Sequence, residues 1–140
     1  MTDRKILAAG ILLAGLNLIA AASAQGVPGS ASILQGGRGN AAGIAQTGSG
    51  NDAALRQFGQ NNTGTILQTG TGNTACLAQA GRNLSGTIQQ TGDYQSTGVL
   101  QTRMGVMDVS PEACSAIESR RDIMVHFAGR AGNPMGRGRR

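Results

Sequence analysis

Tryptophan is absent from the 140 residues, and the aromatic side chains are one tyrosine and two phenylalanines. Large rings ordinarily supply the bulkiest buried area, so this chain has little with which to fill a broad globular core. Lysine occurs only at Lys5, and from 31 to 102 there is neither lysine nor proline. The charges in that stretch are Arg38, Asp52, Arg56, Arg82 and Asp93. Strand edges are usually protected by lysine, proline or bulges, and most of that protection is missing. Chemistry is as thinly provided for. With one histidine, His126, scattered carboxylates and two cysteines, no metal-ligand spacing appears. The sequence predicts no catalytic residue, no metal, no cofactor and no small-molecule substrate.

What the chain has in quantity is glycine, 23 residues, and a strict period. Glutamine recurs every eleven residues at Gln35, Gln46, Gln57, Gln68, Gln79, Gln90 and Gln101. Two residues before each stands a branched aliphatic, in order Ile33, Ile44, Leu55, Ile66, Leu77, Ile88 and Val99. Four before stands a small residue, ending with Thr97. Two after stands glycine at Gly37, Gly48, Gly59, Gly70, Gly81 and Gly92, and five after stands Asn40, Asn51, Asn62 and Asn73. The asparagine then gives way to Leu84 and Gln95, and Arg103 ends the glycine series. A short fixed period of this kind is the mark of a repeat architecture.

Eleven residues also fit three helical turns of a right-handed supercoil, but one to three glycines per unit, each costing about 1 kcal/mol in a helix, argue against it. Asn40, Ala42, Ile44, Gln46 and Gly48 are spaced by two, so in an extended chain they share one face. Each strand then ends in a Gly/Asn turn that tolerates positive φ. Two strands make a coil of 22 residues, and stacked coils place like residues above one another. Buried glutamine is costly alone, but a stacked amide donates to one copy and accepts from another. The predicted fold is an all-β, two-sheet solenoid of seven short strands over 31–103. Its terminal coils leave strand edges and amides unpaired at both ends, an invitation to self-association. The five charges act as gatekeepers against it.

The flanks differ in kind. Residues 1–24 combine Arg4 and Lys5 with an apolar run from Ile6 to Ala22 and a small-x-small end, Ala22-Ser23-Ala24. This reads as a cleaved secretory signal, with a membrane span as the alternative. Residues 25–30 form a short flexible leader. The outward threonines Thr65, Thr69, Thr87 and Thr91 suggest an ice-binding array, but Gly43 and Ala45 interrupt it and threonine favours strands in any case. Phe58 and Tyr94 read as packing beside turns.

From 104 to 140 the period is lost. Ser110-Pro111-Glu112 is a helix start, the helix running to Phe127, with a strand over Ile123 to Phe127 as the competing reading. From Gly129 onward the composition is that of a disordered basic end carrying Arg130, Arg137, Arg139 and Arg140. By charge it suits anionic cell-surface groups or extracellular DNA, or simply keeps the chain soluble. Cys76 and Cys114 either join and clamp the tail to the stack or remain inert or intermolecular thiols.

The run from Gln35 through Gly37, Gly39, Asn40 and Ala42 to Gln46 follows the pattern Q-x-G-x-G-N-x-A-x-x-x-Q. Gln46 to Gln57 and Gln68 to Gln79 follow it as fully. Gln57 to Gln68 substitutes Asn61 and Gly64, and the last two units fit loosely. In this the chain resembles the curlin repeat family, the subunits of curli, the extracellular amyloid fibres of Gram-negative biofilms. The resemblance implies a secreted structural subunit, major or nucleating, that adheres and builds matrix by templated stacking. Its partners would be further copies, other curli subunits and export and assembly factors. The nucleating curli subunit has a basic, divergent C-terminal end, which the tail resembles. A soluble solenoid that never polymerises, capped by its own tail, is the alternative.

Overall fold

The period of eleven becomes, in the computed structural model, a two-sheet β-solenoid. Residues 18–23 and 28–131 are described. Strands β1 (Leu18–Ser23), β3 (Ala41–Ser49), β5 (Thr63–Thr71) and β7 (Ser85–Thr91) form one sheet. Strands β2 (Ser30–Arg38), β4 (Asp52–Gln60), β6 (Thr74–Arg82), β8 (Ser96–Thr102) and β9 (Gly105–Val109) form the other. Successive strands alternate between sheets, so each pair of strands is one winding. From β2 to β8 neighbours are parallel and related by 22 residues: Ile33 pairs with Leu55, Leu55 with Leu77, and Leu77 with Val99. On the facing sheet Ile44 pairs with Ile66 and Ile66 with Ile88.

The narrow interior holds these aliphatics and the small residues Ala42, Ala53 and Ala75. The small column has a steric origin. A Cβ added at Gly64 would lie 3.0 Å from the Gln57 amide nitrogen and 3.1 Å from Leu55 of the opposite sheet. At such a position one sheet makes room for the large side chains of the other.

Two strands lie outside the expected seven. The first, β1, pairs with β3 at an offset of 24 residues, bringing Ala22 beside Gln46. It is the described part of the segment read as a signal, whose other residues, 1–17 and 24, lie outside the described ones. The last, β9, runs antiparallel to β8, with Leu100 opposite Met107.

The tail is folded through residue 131, and not as one helix. Helix α1 (Pro111–Ser115) starts as its sequence predicts, the Ser110 hydroxyl accepting from the Ala113 amide. It stops at Ala116, and α2 (Arg120–Ala131) begins afresh. The cause is a capping box: Asp122 accepts from the Ser119 amide at 2.9 Å while the Ser119 hydroxyl accepts from the Asp122 amide. The strand alternative over Ile123–Phe127 is therefore replaced by helix. The segment from Gly129, expected to be disordered, begins inside α2.

Both helices lie on the outward face of the β2–β9 sheet, where Ala54, Cys76, Ala78, Ala80 and Leu100 meet Cys114, Ile117 and Ile123 in a second apolar core. Phe58 packs here too. As a result β6 is buried on both faces. Gly98 permits the crossing, since a Cβ there would sit 2.5 Å from the Val109 carbonyl and 2.9 Å from Pro111.

Cys76 and Cys114 form a disulfide that fastens α1 to the middle of the sheet, closing a separation of 38 residues. Arg56 adds a polar tie, donating to the Ser32 hydroxyl on one side and the Ser115 carbonyl on the other. Burial lowers the Arg56 pKa from its ordinary value, and the charge of Glu118 partly opposes that shift. By loop-closure entropy, Cys114→Ser should cost roughly 3–4 kcal/mol. Hydrogen exchange is the measure, with the fastest exchange expected in 104–131 and a lowered ceiling of protection for amides that exchange only by global unfolding.

Candidate functional site

Columns of polar side chains run along the stack. Gln35, Gln57, Gln79 and Gln101 pair in register, as do Gln46, Gln68 and Gln90. Each Nε2 donates to the Oε1 of the next winding toward the C-terminus. Gln57 to Gln79, Gln79 to Gln101, Gln46 to Gln68 and Gln68 to Gln90 are all 2.8 Å. The second Nε2 proton goes to a backbone carbonyl sixteen residues earlier, as from Gln57 to Ala41 and from Gln79 to Thr63. That carbonyl fixes the polarity. Turning an amide over would place Oε1 against another oxygen, so every donor points the same way.

Asparagines organise the corners. Asn51 Nδ2 donates to the Thr47 carbonyl and, at 2.9 Å, to the Gly70 carbonyl of the next winding, while its Oδ1 accepts from the Asn73 amide. Asn62 makes the same set, to Phe58, Gly81 and Leu84, and Asn40 and Asn73 continue the two columns. Where asparagine is lost, Gln95 Nε2 still reaches the Thr91 carbonyl.

The glycine after each glutamine holds φ between 108° and 128° at Gly37, Gly48, Gly59, Gly70 and Gly92. Gly81, beneath Arg103, is not in that region. Two residues further on, a left-handed corner recurs with the same period at Gly39, Gly50, Asn61, Gly72, Asn83 and Tyr94. Glycine and asparagine suit it. Tyr94 does not by chemistry, and its ring lies over the Gly72 corner of the winding before.

The two ends of the stack are unlike. At the N-terminal end β2 is the outermost strand of its sheet, and Gln35 Oε1 is buried with no hydrogen-bond partner among the described residues. At the C-terminal end the expectation of open edges is corrected in one sheet, while β7 remains the outermost strand of the other. The β8 edge is taken by β9, and the outward proton of Gln90 goes to the Thr97 hydroxyl at 3.2 Å. The residues at fault are those where the repeat decays: Thr97 occupies a position that is otherwise alanine or glycine.

Of the arginines assigned to anion contact, Arg137, Arg139 and Arg140 lie outside the described residues, and the Arg130 side chain is likewise not described. Sequence reading overlooked a basic cleft made instead by Arg82, Arg103 and Arg120 over Gly37, Gly59 and Gly81. No helix among the described residues is long and apolar enough to cross a membrane, and no group of three or more His, Cys, Asp or Glu among them could hold a metal.

Comparison with known proteins gives one result. The curlin associated repeat matches twice, over residues 30–59 and 59–92. No curated protein and no solved structure matches the chain.

Proposed function

Because the chain belongs to the curlin repeat family, we propose that it is a structural subunit of curli-type extracellular fibres, secreted after loss of residues 1–24, that templates cross-β stacking from one end. The observation that carries this is the N-terminal end, where among the described residues β2 has an unpaired edge beside a buried, unpartnered amide oxygen. An unfolded repeat chain arriving there gains backbone pairing and an amide partner at once, and the gain offsets the entropy of ordering it. A subunit that acts from one end would start a fibre, and on this reading the protein is the nucleating subunit. It would then meet other repeat subunits on one side, and the cell surface through its basic tail.

The soluble, capped module is the second reading, favoured by β9 and the docked helices. Folded full-length protein added in small amount to unfolded chains ending at Arg103 separates the two. Seeding should shorten the lag and yield fibres with reflections near ~4.7 and ~10 Å. Seeds without effect, and a mixture that sediments as monomer, would favour the module.

A further inference from the structure

We infer that this stack can be extended only at its N-terminal end, and that its occupant there is the C-terminal face of a different repeat chain, one whose last winding carries no returning strand. The inference rests on the stacking reading above and adds direction and partner to it. Three observations support it.

The amide columns are directional. Each glutamine offers Oε1 toward the N-terminus and Nε2 toward the C-terminus, held so by the backbone carbonyl that takes the second proton. Gln35 Oε1 has no donor among the described residues, and the direction of the column suits one from a winding stacked on its N-terminal side. Two N-terminal ends cannot meet each other, because oxygen would face oxygen at Gln35.

At the C-terminal end β7 keeps an uncovered edge, but the chain itself shuts the β8 edge, so a complete winding, which needs both, cannot be added there. β9 covers β8 antiparallel, so an in-register parallel strand has no edge to join in that sheet. Thr97 consumes the outward proton of Gln90 that would otherwise seek the next amide. The tail is then fixed in place by the Cys76–Cys114 disulfide and the crossing at Gly98. A second copy of this chain, closed in the same way, has no suitable face to present to Gln35. The occupant must end in an uncovered parallel strand with free amide donors.

Stoichiometry tests this directly. A labelled peptide of residues 52–73, one complete winding with Gln57 and Gln68, is titrated against the disulfide-intact protein, both full-length and processed after Ala24. One peptide per chain is expected. The processed form should bind more tightly, because β1 no longer covers β3. Gln35→Leu should weaken binding about tenfold, as loss of a buried hydrogen bond implies. Thr97→Ala combined with Val106→Pro, which frees Gln90 and loosens β9, should raise the stoichiometry to two. Two peptides bound to the unaltered protein, or a single site indifferent to Gln35→Leu, would overturn the inference while leaving stacking intact. A peptide that binds neither form would defeat the stacking reading itself, and this inference with it.

Discussion

Gly59→Ala is expected to abolish the folded solenoid or to cost more than about 4 kcal/mol, a loss seen only where a named steric mechanism operates. The mechanism is contact between windings. A Cβ on Gly59 would lie 1.8 Å from the Gly81 carbonyl oxygen, and the backbone there has φ of 128°, which an alanine rarely adopts. The obstacle is backbone, so no side-chain rotamer relieves it. Relief would require separating β4 from β6, the central strand of the five-stranded sheet. Gly43→Ala is the matched control, because nothing lies within 4 Å of its added Cβ. There the smaller entropy of the unfolded chain should leave stability unchanged or raise it by about 0.4–1 kcal/mol. Denaturant midpoints measure both, and equal midpoints would show that the windings are not in close contact at the turns.

That contrast also shows what the sequence discloses and what it conceals. The columns were legible because a solenoid core is one-dimensional: residues 22 apart meet, so the period in the chain is the geometry in space. The left-handed corner at Gly39, Gly50, Asn61, Gly72, Asn83 and Tyr94 is equally periodic, and was obscured only because three of its six members are not glycine. The covered outer face was written in the chain as well. Outward positions Ala54, Cys76, Ala78, Ala80 and Leu100 are apolar, whereas the other sheet shows Thr65, Thr69, Thr87 and Thr91.

What could not be read was the tail's path. It depends on a single contact at Gly98, on a two-residue reversal before β9, and on a capping box at Ser119 and Asp122 that divides the expected helix. None of these repeats, so none announces itself. The closed β8 edge was missed for the same reason: in a repeat, the positions that fall out of pattern look like decay, and here Thr97 and the residues after Arg103 alter the chemistry of that end.

The second large effect separates a continuous amide column from a set of independent hydrogen bonds. Gln79→Leu alone leaves three groups unpaired: a proton of Gln57 Nε2, the Gln101 oxygen and the Thr63 carbonyl. At about 1–3 kcal/mol for each buried orphan, the loss is about 3 kcal/mol or more. Gln57→Leu orphans Gln35 Nε2, the Ala41 carbonyl and the Gln79 oxygen in the same way. In the double variant the Gln57–Gln79 bond has lost both partners, so two of those orphans vanish. Leucine of similar bulk can then pack between Leu55 and Leu77 and the opposite sheet. The double variant should consequently be less destabilised than the sum of the singles by about 1–3 kcal/mol, a coupling that a double-mutant cycle resolves. It should still lengthen the lag before fibres appear, because the column offered to an incoming chain is cut in its middle. Strict additivity, or an unchanged lag, would mean that the stacked glutamines act one by one, and the directional argument that closes one end and opens the other would lose its basis.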